Sequence, residues 1–200
     1  MTTREQILDL AQEMVQKRGF YAFSFRDIAE QVGIKTASIH YYYPTKSDLG
    51  KALVRRIVED SARARAEIEA RETHSMNRLR RFAELFLGAF GEGDRLCPMC
   101  MLAMAQNTVP ATVRAGVRQF WTASELWVER VVAEGQKRRE LAPRAKPRVV
   151  ARTLVAAFEG ALVAARALDD SSRFTDVVDY LLEGLAPRMN RSTGDGLTSV

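Results

Sequence analysis

Hydrophobic residues recur every three or four positions along most of the chain, which is the spacing of amphipathic α-helices. The sequence has no alternating apolar run of useful length and no Asn-Gly hairpin turn, the two patterns that would indicate strands. Glycines and prolines divide the helical pattern into segments. The pattern therefore predicts an all-α chain of about nine helices.

Capping residues and helix breakers mark the ends of the first helices. Three helices begin at a Ser or Thr that is followed, three residues later, by its partner in a capping box: Thr2 with Glu5 or Thr3 with Gln6, Ser24 with Asp27, and Thr45 with Asp48. Gly33 ends the second helix. The third helix begins near Lys35 or Thr36. It must end by Tyr43, because Pro44 disfavours helix in the residue before it.

The fourth helix is expected to continue to about Ala70, and five further helices follow it. They are predicted near residues 75–90, 98–106, 110–138, 147–168 and 174–187. We divide the chain into an N-terminal domain over residues 1–50 and a C-terminal domain over residues 51–188, linked by the fourth helix. The polar composition of residues 189–200 predicts a disordered tail.

Composition and charge narrow the class of protein. The 46% hydrophobic content of the 200 residues is enough for a core, and no run of about 18 apolar residues predicts a membrane span. We expect no signal peptide and a cytoplasmic location. The formal net charge of +5 permits binding to nucleic acid, but residues 1–60 hold nine Lys or Arg against eight Asp or Glu. Any DNA contact must therefore come from individually placed side chains.

The stretch from Ser24 to Leu49 predicts a helix-turn-helix around Gly33, which lets the chain reverse without steric cost. In its second helix, Ile39 and Tyr43 lie four residues apart and are expected to face the core. Ala37, His40 and Tyr41 then point outward, flanked by Ser38 and Tyr42. A face with so few charges is unusual for a solvated helix. It suits a helix in a major groove, where such side chains approach base edges and phosphates.

This stretch resembles the DNA-binding domain of the TetR/AcrR regulators over about residues 4–50. The matching residues are Phe25-Arg26-Asp27-Ile28-Ala29, Val32-Gly33, Ile39, Tyr41-Tyr42-Tyr43, Pro44-Thr45-Lys46 and Asp48-Leu49. The remainder of the chain agrees with the family in length and helix count. The resemblance implies an all-helical homodimer, by default a repressor, that leaves its DNA operator when a small-molecule effector enters the C-terminal domain.

The resemblance also implies a set of DNA contacts. Ala37, Ser38 and His40 would face bases, Tyr41 and Tyr42 would contact bases or backbone, Lys35, Thr36 and Lys46 would lie near phosphates, and Arg26 is a further candidate. Lys46 would be assisted by the N-terminus of the fourth helix. His40 departs from the family, in which Tyr is common, and should alter the operator sequence. Lys46 as a surface charge and Tyr42 as a cover for the hydrophobic surface are the structural alternatives.

In this family the last two helices form a four-helix bundle with those of a partner chain. The first of the two is rich in small residues that let helices pack closely: Ala156, Ala157, Gly160, Ala161, Ala164 and Ala165. Some faces of both helices also form intrachain core. A two-fold dimer would place its recognition helices about one DNA turn apart on a near-palindromic operator.

The middle helices are expected to line the effector pocket. The candidates are aromatic and Met residues, which a core would also use: Phe82, Phe86, Phe90, Met99, Met101, Met104, Phe120, Trp121, Trp127 and Phe158. They predict an apolar or aromatic effector. Its polar anchor would be one of Gln106, Asn107, Arg118 and Glu125.

Cys97 and Cys100 are the one unusual local feature. Pro98 suits the first position of a helix, which makes Cys97 the N-cap residue. Because a helix N-terminus lowers a thiol pKa, Cys97 is a candidate thiolate, with Cys100 as its resolving partner, in a redox or electrophile sensor. The favoured alternative is that two small residues pack at a helix start. Zinc is disfavoured because a second pair of ligands is missing.

An enzyme is the second class of function that we weigh. The chain has no Gly-rich phosphate loop, no G-x-S-x-G elbow and no H-E-x-x-H motif, and a pair of His74 with Cys97 would have no evident orienting acid. We therefore expect no enzyme, cofactor or metal. A third class is an interaction module of the same fold that binds no operator. A steep loss of affinity with rising salt would distinguish a DNA binder from it.

Overall fold

The computed structural model describes residues 1–90 and 94–187, and these residues form nine α-helices and no strand. The helices are α1 (Thr3–Arg18), α2 (Phe25–Val32), α3 (Thr36–Tyr42), α4 (Lys46–Arg71), α5 (Ser75–Phe90), α6 (Pro98–Met104), α7 (Ala111–Lys137), α8 (Pro147–Ala167) and α9 (Ser172–Glu183). The all-α prediction is confirmed. None of the described helices is long and apolar enough to cross a membrane. The predicted disordered tail, residues 189–200, lies outside the described residues.

Capping side chains fix the starts of α1, α2 and α4 where the sequence predicts them. The Thr2 hydroxyl accepts a hydrogen bond from the Glu5 backbone N–H at 3.3 Å, and the Glu5 carboxylate accepts one from the Thr2 N–H at 2.7 Å. Two further pairs form the same reciprocal box: Ser24 with Asp27, and Thr45 with Asp48. Each box satisfies backbone N–H groups that a helix N-terminus leaves without partners.

Two clusters of buried apolar residues form the interior. The N-terminal cluster joins α1–α4 to α6 and to the first turns of α7, with Ile7 and Leu53 fully buried in it. The C-terminal cluster joins α5, the remainder of α7, α8 and α9 around Phe158. Met101 and Trp121 are half-buried and pack against both clusters. The core under the helix-turn-helix therefore extends beyond residue 50 into α6 and α7.

Two helices are shorter than predicted. α6 ends at Met104, and α9 spans Ser172–Glu183 rather than residues 174–187. After α9 the chain continues in a tight turn, in which the Leu185 N–H donates to the Leu182 carbonyl at 3.0 Å. Turns closed over three residues keep a three-residue hydrophobic spacing, so periodicity alone does not separate them from α-helix.

Candidate nucleic-acid interface

α2, a tight turn and α3 form the helix-turn-helix. Gly33 ends α2 in the left-handed conformation, with φ 77° and ψ 33°. Its N–H and that of Ile34 both donate to the Ala29 carbonyl at 3.0 Å. Residues with a side chain rarely adopt this conformation, which explains the glycine. The turn directs α3 back across α2, so that one face of α3 is buried and the other is exposed.

The two faces of α3 and its C-cap are oriented as predicted. Ile39 and Tyr43 are buried, with 0% and 2% of their surface exposed. The opposite face, called here the α3 outward face, carries exposed Ala37, His40 and Tyr41 and half-buried Ser38 and Tyr42. Tyr43 belongs to the core, where its hydroxyl accepts a hydrogen bond from Arg4 at 3.4 Å. The contacts of the α3 outward face with DNA stay predictions.

His40 is held in one orientation by its neighbours. Its ring packs edge to face on Phe25, with 4.9 Å between the ring centroids, and its Nδ1 lies 3.2 Å from the Pro44 carbonyl oxygen. Because a carbonyl oxygen only accepts, Nδ1 donates this hydrogen bond. Nε2 of the neutral ring is then left as an acceptor. In a major groove, such an acceptor pairs with the amino group of adenine or cytosine.

Tyr41 and Tyr42 form the aromatic end of the α3 outward face. The Tyr41 side chain is 83% exposed, and its ring meets that of Tyr42 edge to face at 5.2 Å. A tyrosine hydroxyl at this position can donate to a phosphate oxygen, while the ring covers apolar surface such as a thymine methyl group. The pair is therefore suited to the edge of a groove rather than to bulk solvent.

Lys46, at the start of α4, is engaged within the protein. Its ammonium donates to the Phe23 carbonyl and lies 4.1 Å from the centroid of the Phe23 ring, with the rings of Phe20 and Tyr21 at 5.3 and 5.7 Å. Burial lowers the pKa of Lys46. The residue therefore ties α4 to the segment before α2, and its contact with a phosphate stays a prediction.

The other predicted phosphate contacts lie at the ends of the two short helices. Arg26 is exposed and forms an ion pair with Glu30 at 2.9 Å, and this hydrogen bond raises the pKa of its guanidinium. A surface pair of this kind contributes little to stability, so Arg26 can exchange it for a phosphate at low cost. Lys35 is the exposed N-cap residue of α3, and half-buried Thr36 is the first residue of the helix.

The predicted pocket residues differ widely in burial. Phe82, Phe86, Phe90, Met99, Trp127 and Phe158 are buried, Met101, Phe120 and Trp121 are half-buried, and Met104 is 77% exposed. The buried rings contact one another, with the Phe86 centroid 5.3 Å from that of Phe82 and 5.6 Å from that of Phe158. Such contacts are those of a packed aromatic core. The role of these residues in a pocket stays a prediction.

A cleft between α6 and α7 brings three of the predicted polar anchors together. Gln106, Arg118 and Glu125 line it beside Trp121, and its volume is about 360 Å³. Asn107 is exposed in the turn that follows α6. This volume lies at the lower end of the range for pockets that hold whole small ligands, about 300–1,000 Å³.

At Cys97 the structure disfavours the candidate thiolate and agrees with the favoured alternative, packing at a helix start. Cys97 is the N-cap residue of α6, as expected, but burial and the nearby Glu159 carboxyl raise the pKa of its thiol well above the usual value. Burial also raises the pKa of Cys100, to about 11. Here burial disfavours the charged form more than the helix N-terminus favours it. Over residues 1–90 and 94–187, no three His, Cys, Asp or Glu side chains are placed to hold a metal ion.

Glu159 is a buried carboxyl group that the sequence analysis did not single out. It is the single acidic residue of α8 and is 5% exposed. Burial raises its pKa to about 7, against the opposing effect of hydrogen bonds from the thiols of Cys97 and Cys100. The available signal was its position on the helix: Glu159 lies four residues after Val155 and three before Leu162, both of which are buried.

Two family models match the chain over more than half its length. The model of bacterial regulatory proteins of the tetR family matches residues 7–53, and that of a tetracyclin repressor-like C-terminal domain matches residues 75–181. The chain belongs to the TetR family. This confirms the resemblance seen in the helix-turn-helix, and the protein is a DNA-binding transcriptional regulator.

Solved TetR-family structures and a curated relative are similar to this chain over most of its length. A TetR family transcriptional regulator from Agrobacterium tumefaciens is 28% identical, with a TM-score of 0.87 over 92% of this chain and 97% of that chain. A TetR transcriptional regulator from Legionella pneumophila is 25% identical, with a TM-score of 0.85 over 92% of this chain and 98% of that chain. The nucleoid occlusion factor SlmA of Photobacterium profundum is 27% identical over 161 residues, which cover 80% of this chain and 81% of SlmA.

Proposed function

We propose that this TetR-family regulator binds a near-palindromic operator as a homodimer and that a small molecule in its C-terminal domain releases it. The observation that carries the proposal is the α3 outward face. Its exposed side chains, Ala37, His40 and Tyr41, include no carboxylate that would repel phosphates. They are also small or capable of hydrogen bonding, as readout of base edges requires.

An exposed stripe on α8 provides a surface for the second subunit. Its members recur every three, four or seven residues: Val149, Ala156, Gly160, Val163 and Ala167. A side chain added at Gly160 would meet no atom within 4 Å in the single chain. Small residues at helical spacing let two helices approach closely. This set of residues, called here the α8 stripe, supports a dimer through the last helices.

Release of the operator requires a physical connection between the two domains. Arg166 of α8 donates hydrogen bonds to the carbonyls of Gln16 at 3.3 Å and Lys17 at 2.9 Å, at the end of α1. Met101 and Trp121 pack against both hydrophobic clusters. A ligand that shifts α6 or α8 would therefore also shift α1. In a dimer, this movement changes the distance between the two copies of α3 and weakens binding to a site of fixed spacing.

Capture of DNA tests the proposal. Folded, reduced and ligand-free protein is mixed with sheared DNA from its source organism, and the bound fragments are sequenced. We expect enrichment of a few near-palindromic sites. A variant with His40→Ala and Tyr41→Ala should lose this enrichment, whereas His74→Ala, which replaces the only other histidine, should keep it. If the wild-type protein enriches no site, operator binding is contradicted and the interaction module becomes the better account.

A further inference from the structure

Glu159 is a carboxyl group inside the protein that lacks the partners a buried charge needs. It is 5% exposed, and its Oε1 has no hydrogen-bond partner. The groups that face it are the thiols of Cys97 and Cys100 on α6. Within the described part of the chain, no Lys, Arg or His side chain forms an ion pair with it. Because an unpaired buried carboxylate is costly, a cation that also donates a hydrogen bond would stabilise the ionised form of Glu159.

One face of α6 becomes more exposed with distance from the thiols that face this carboxyl group. Cys97 is buried, Cys100 and Met101 are half-buried, and Met104 is 77% exposed. These four residues lie three or four positions apart and so share one side of the helix. Next to Glu159 this side presents two thiol groups, and further along the helix it presents the thioethers of Met101 and Met104. The surroundings of the carboxyl group are therefore suited to an apolar body.

A second unpartnered polar group lies at about the same height in the helix pair. The indole N–H of Trp121 on α7 is buried without a hydrogen-bond partner. An ion pair at 3.7 Å joins Glu125 of α7 to Arg152 of α8 and relates positions on these two neighbouring helices to within the reach of the two side chains. Trp121 precedes Glu125 by four residues on α7, which is about 6 Å along the helix axis. Glu159 follows Arg152 by seven residues on α8, which is about 10 Å along its axis. Because the two helices run in opposite directions, both displacements point the same way. The two groups are therefore within about one helical turn of each other in height.

We propose that Glu159 anchors the effector, and that the effector is a protonated primary amine on an apolar body. The inference rests on the proposed function, since it names the chemistry of the ligand that would release the operator. An ammonium group supplies a positive charge for the carboxylate and an N–H donor for its Oε1. The side chains of Met101 and Trp121 would cover the apolar body. The charge distinguishes this ligand from the purely apolar or aromatic effector that the sequence predicts.

Binding of an amine at this site is coupled to a proton. Since burial raises the pKa of Glu159 to about 7, the carboxyl group is protonated in about half of the molecules at neutral pH. An adjacent ammonium favours the ionised form and so lowers this pKa. Cys97 and Cys100, the groups that face Glu159, have raised pKa values and keep their protons. The proton released on binding therefore comes from Glu159.

Titration calorimetry of the full chain, without DNA, tests the proposal. The probes are octylamine, phenethylamine and cyclohexylmethylamine, each compared with the alcohol of the same carbon skeleton. We expect at least one amine to bind on the order of ten- to a hundredfold more tightly than its alcohol, as a charged hydrogen bond implies. The heat at neutral pH should depend on the ionisation enthalpy of the buffer, because a proton is released.

Two isosteric variants test whether Glu159 is the residue responsible for the preference for amines. Glu159→Gln keeps the shape of the side chain and removes its charge, and we expect it to lose both the preference for amines and the buffer dependence. Glu67→Gln, on the exposed surface of α4, should retain both. The proposal is overturned if wild-type protein binds no amine, if it binds amines and alcohols equally, or if Glu159→Gln binds amines as the wild type does. The wild-type comparison decides the matter even if Glu159→Gln does not fold.

Because the calorimetry contains no DNA, its result does not depend on whether the protein binds an operator. Operator binding without any preference for amines would keep the proposed function and overturn this inference. A preference for amines in a protein that enriches no DNA would support the anchor at Glu159 and contradict operator binding. If both hold, addition of the bound amine should release the captured operator.

Discussion

At the scale of single residues, we expect His40 to set which base edges the α3 outward face recognises. Contacts with Phe25 and the Pro44 carbonyl fix its ring, so little side-chain entropy is lost when the ring meets a base. Nδ1 is used within the protein, and Nε2 of the neutral ring only accepts. A tyrosine, which is common at this position in the family, has a hydroxyl that both donates and accepts. His40 should therefore restrict recognition to base edges that donate a hydrogen bond.

Replacing His40 with Ala should weaken operator binding by about 1–3 kcal/mol and relax the sequence preference at one base pair of each half-site. Fluorescence anisotropy on the captured operator, and on operators changed one position at a time, measures both effects. His74→Ala, in the turn before α5, serves as the control. Unchanged affinity and preference in His40→Ala would show that this residue contacts no base.

Glu159 should make the free energy of unfolding depend on pH near neutrality. Its pKa is about 7 in the folded protein against a reference value of 4.5, so the folded state binds more protons between these two values. Stability therefore falls as the pH rises through this range, by up to about 3 kcal/mol.

Urea unfolding of the wild type and Glu159→Gln at about pH 5 and about pH 8 measures this dependence. The variant should gain stability relative to the wild type as the pH rises, because it carries no charge to bury. Glu67→Gln, at an exposed position of α4, is the matched control because no charge is buried there. A constant difference between Glu159→Gln and the wild type would mean that Glu159 does not have a raised pKa.

At the scale of the helices, contacts between residues close together in sequence were predictable, and contacts between residues far apart in sequence were not. A capping box such as Thr45 with Asp48 forms between residues three apart, and the two faces of α3 follow from spacing within one helix. The partners of Lys46 and Glu159 lie far away along the chain, in the Phe23 carbonyl and in the thiols of α6. Periodicity shows that such a residue is buried but not which group it meets. The environment of both side chains therefore emerged only from the fold.

The turn of the helix-turn-helix should depend on Gly33. Gly33→Ala should lower the free energy of unfolding by about 1–2 kcal/mol, because a residue with a Cβ atom pays that cost in the left-handed conformation. Gly88→Ala in α5, where the added methyl group meets nothing within 4 Å, should instead stabilise the protein by up to about 1 kcal/mol. Chemical denaturation of both variants tests whether their free energies of unfolding change in opposite directions. Equal effects would contradict a conformational role for Gly33.

At the scale of the whole molecule, the two domains share helices rather than meet at a linker. α6 and the first turns of α7 belong to the N-terminal cluster, while the remainder of α7 belongs to the C-terminal cluster. Arg166 adds hydrogen bonds from α8 to the end of α1. A boundary drawn from sequence at residue 50 could not show this, because α6 and α7 are distant in sequence from the helices on which they pack. Under the proposed function, these shared helices would connect the effector to the DNA.

The α8 stripe should hold the dimer together. Gly160→Arg places a large charged side chain at a point that is open in the single chain, so the chain itself should fold. Burying that charge between subunits should weaken dimerisation by on the order of tenfold or more. Gly88→Arg is a matched control, because its position in α5 is equally open. Sedimentation equilibrium measures both, and an unchanged dimer in Gly160→Arg would place the interface elsewhere.

The central claim is that a dimer inserts its two α3 helices into the major groove at two half-sites. Dimethyl sulfate protection of the captured operator tests it most directly, because this reagent methylates guanine N7 in that groove. We predict two protected patches whose centres lie about one helical turn apart, or a multiple of it, on the same side of the duplex. A single patch, or unchanged guanine reactivity at saturating protein, would contradict the account.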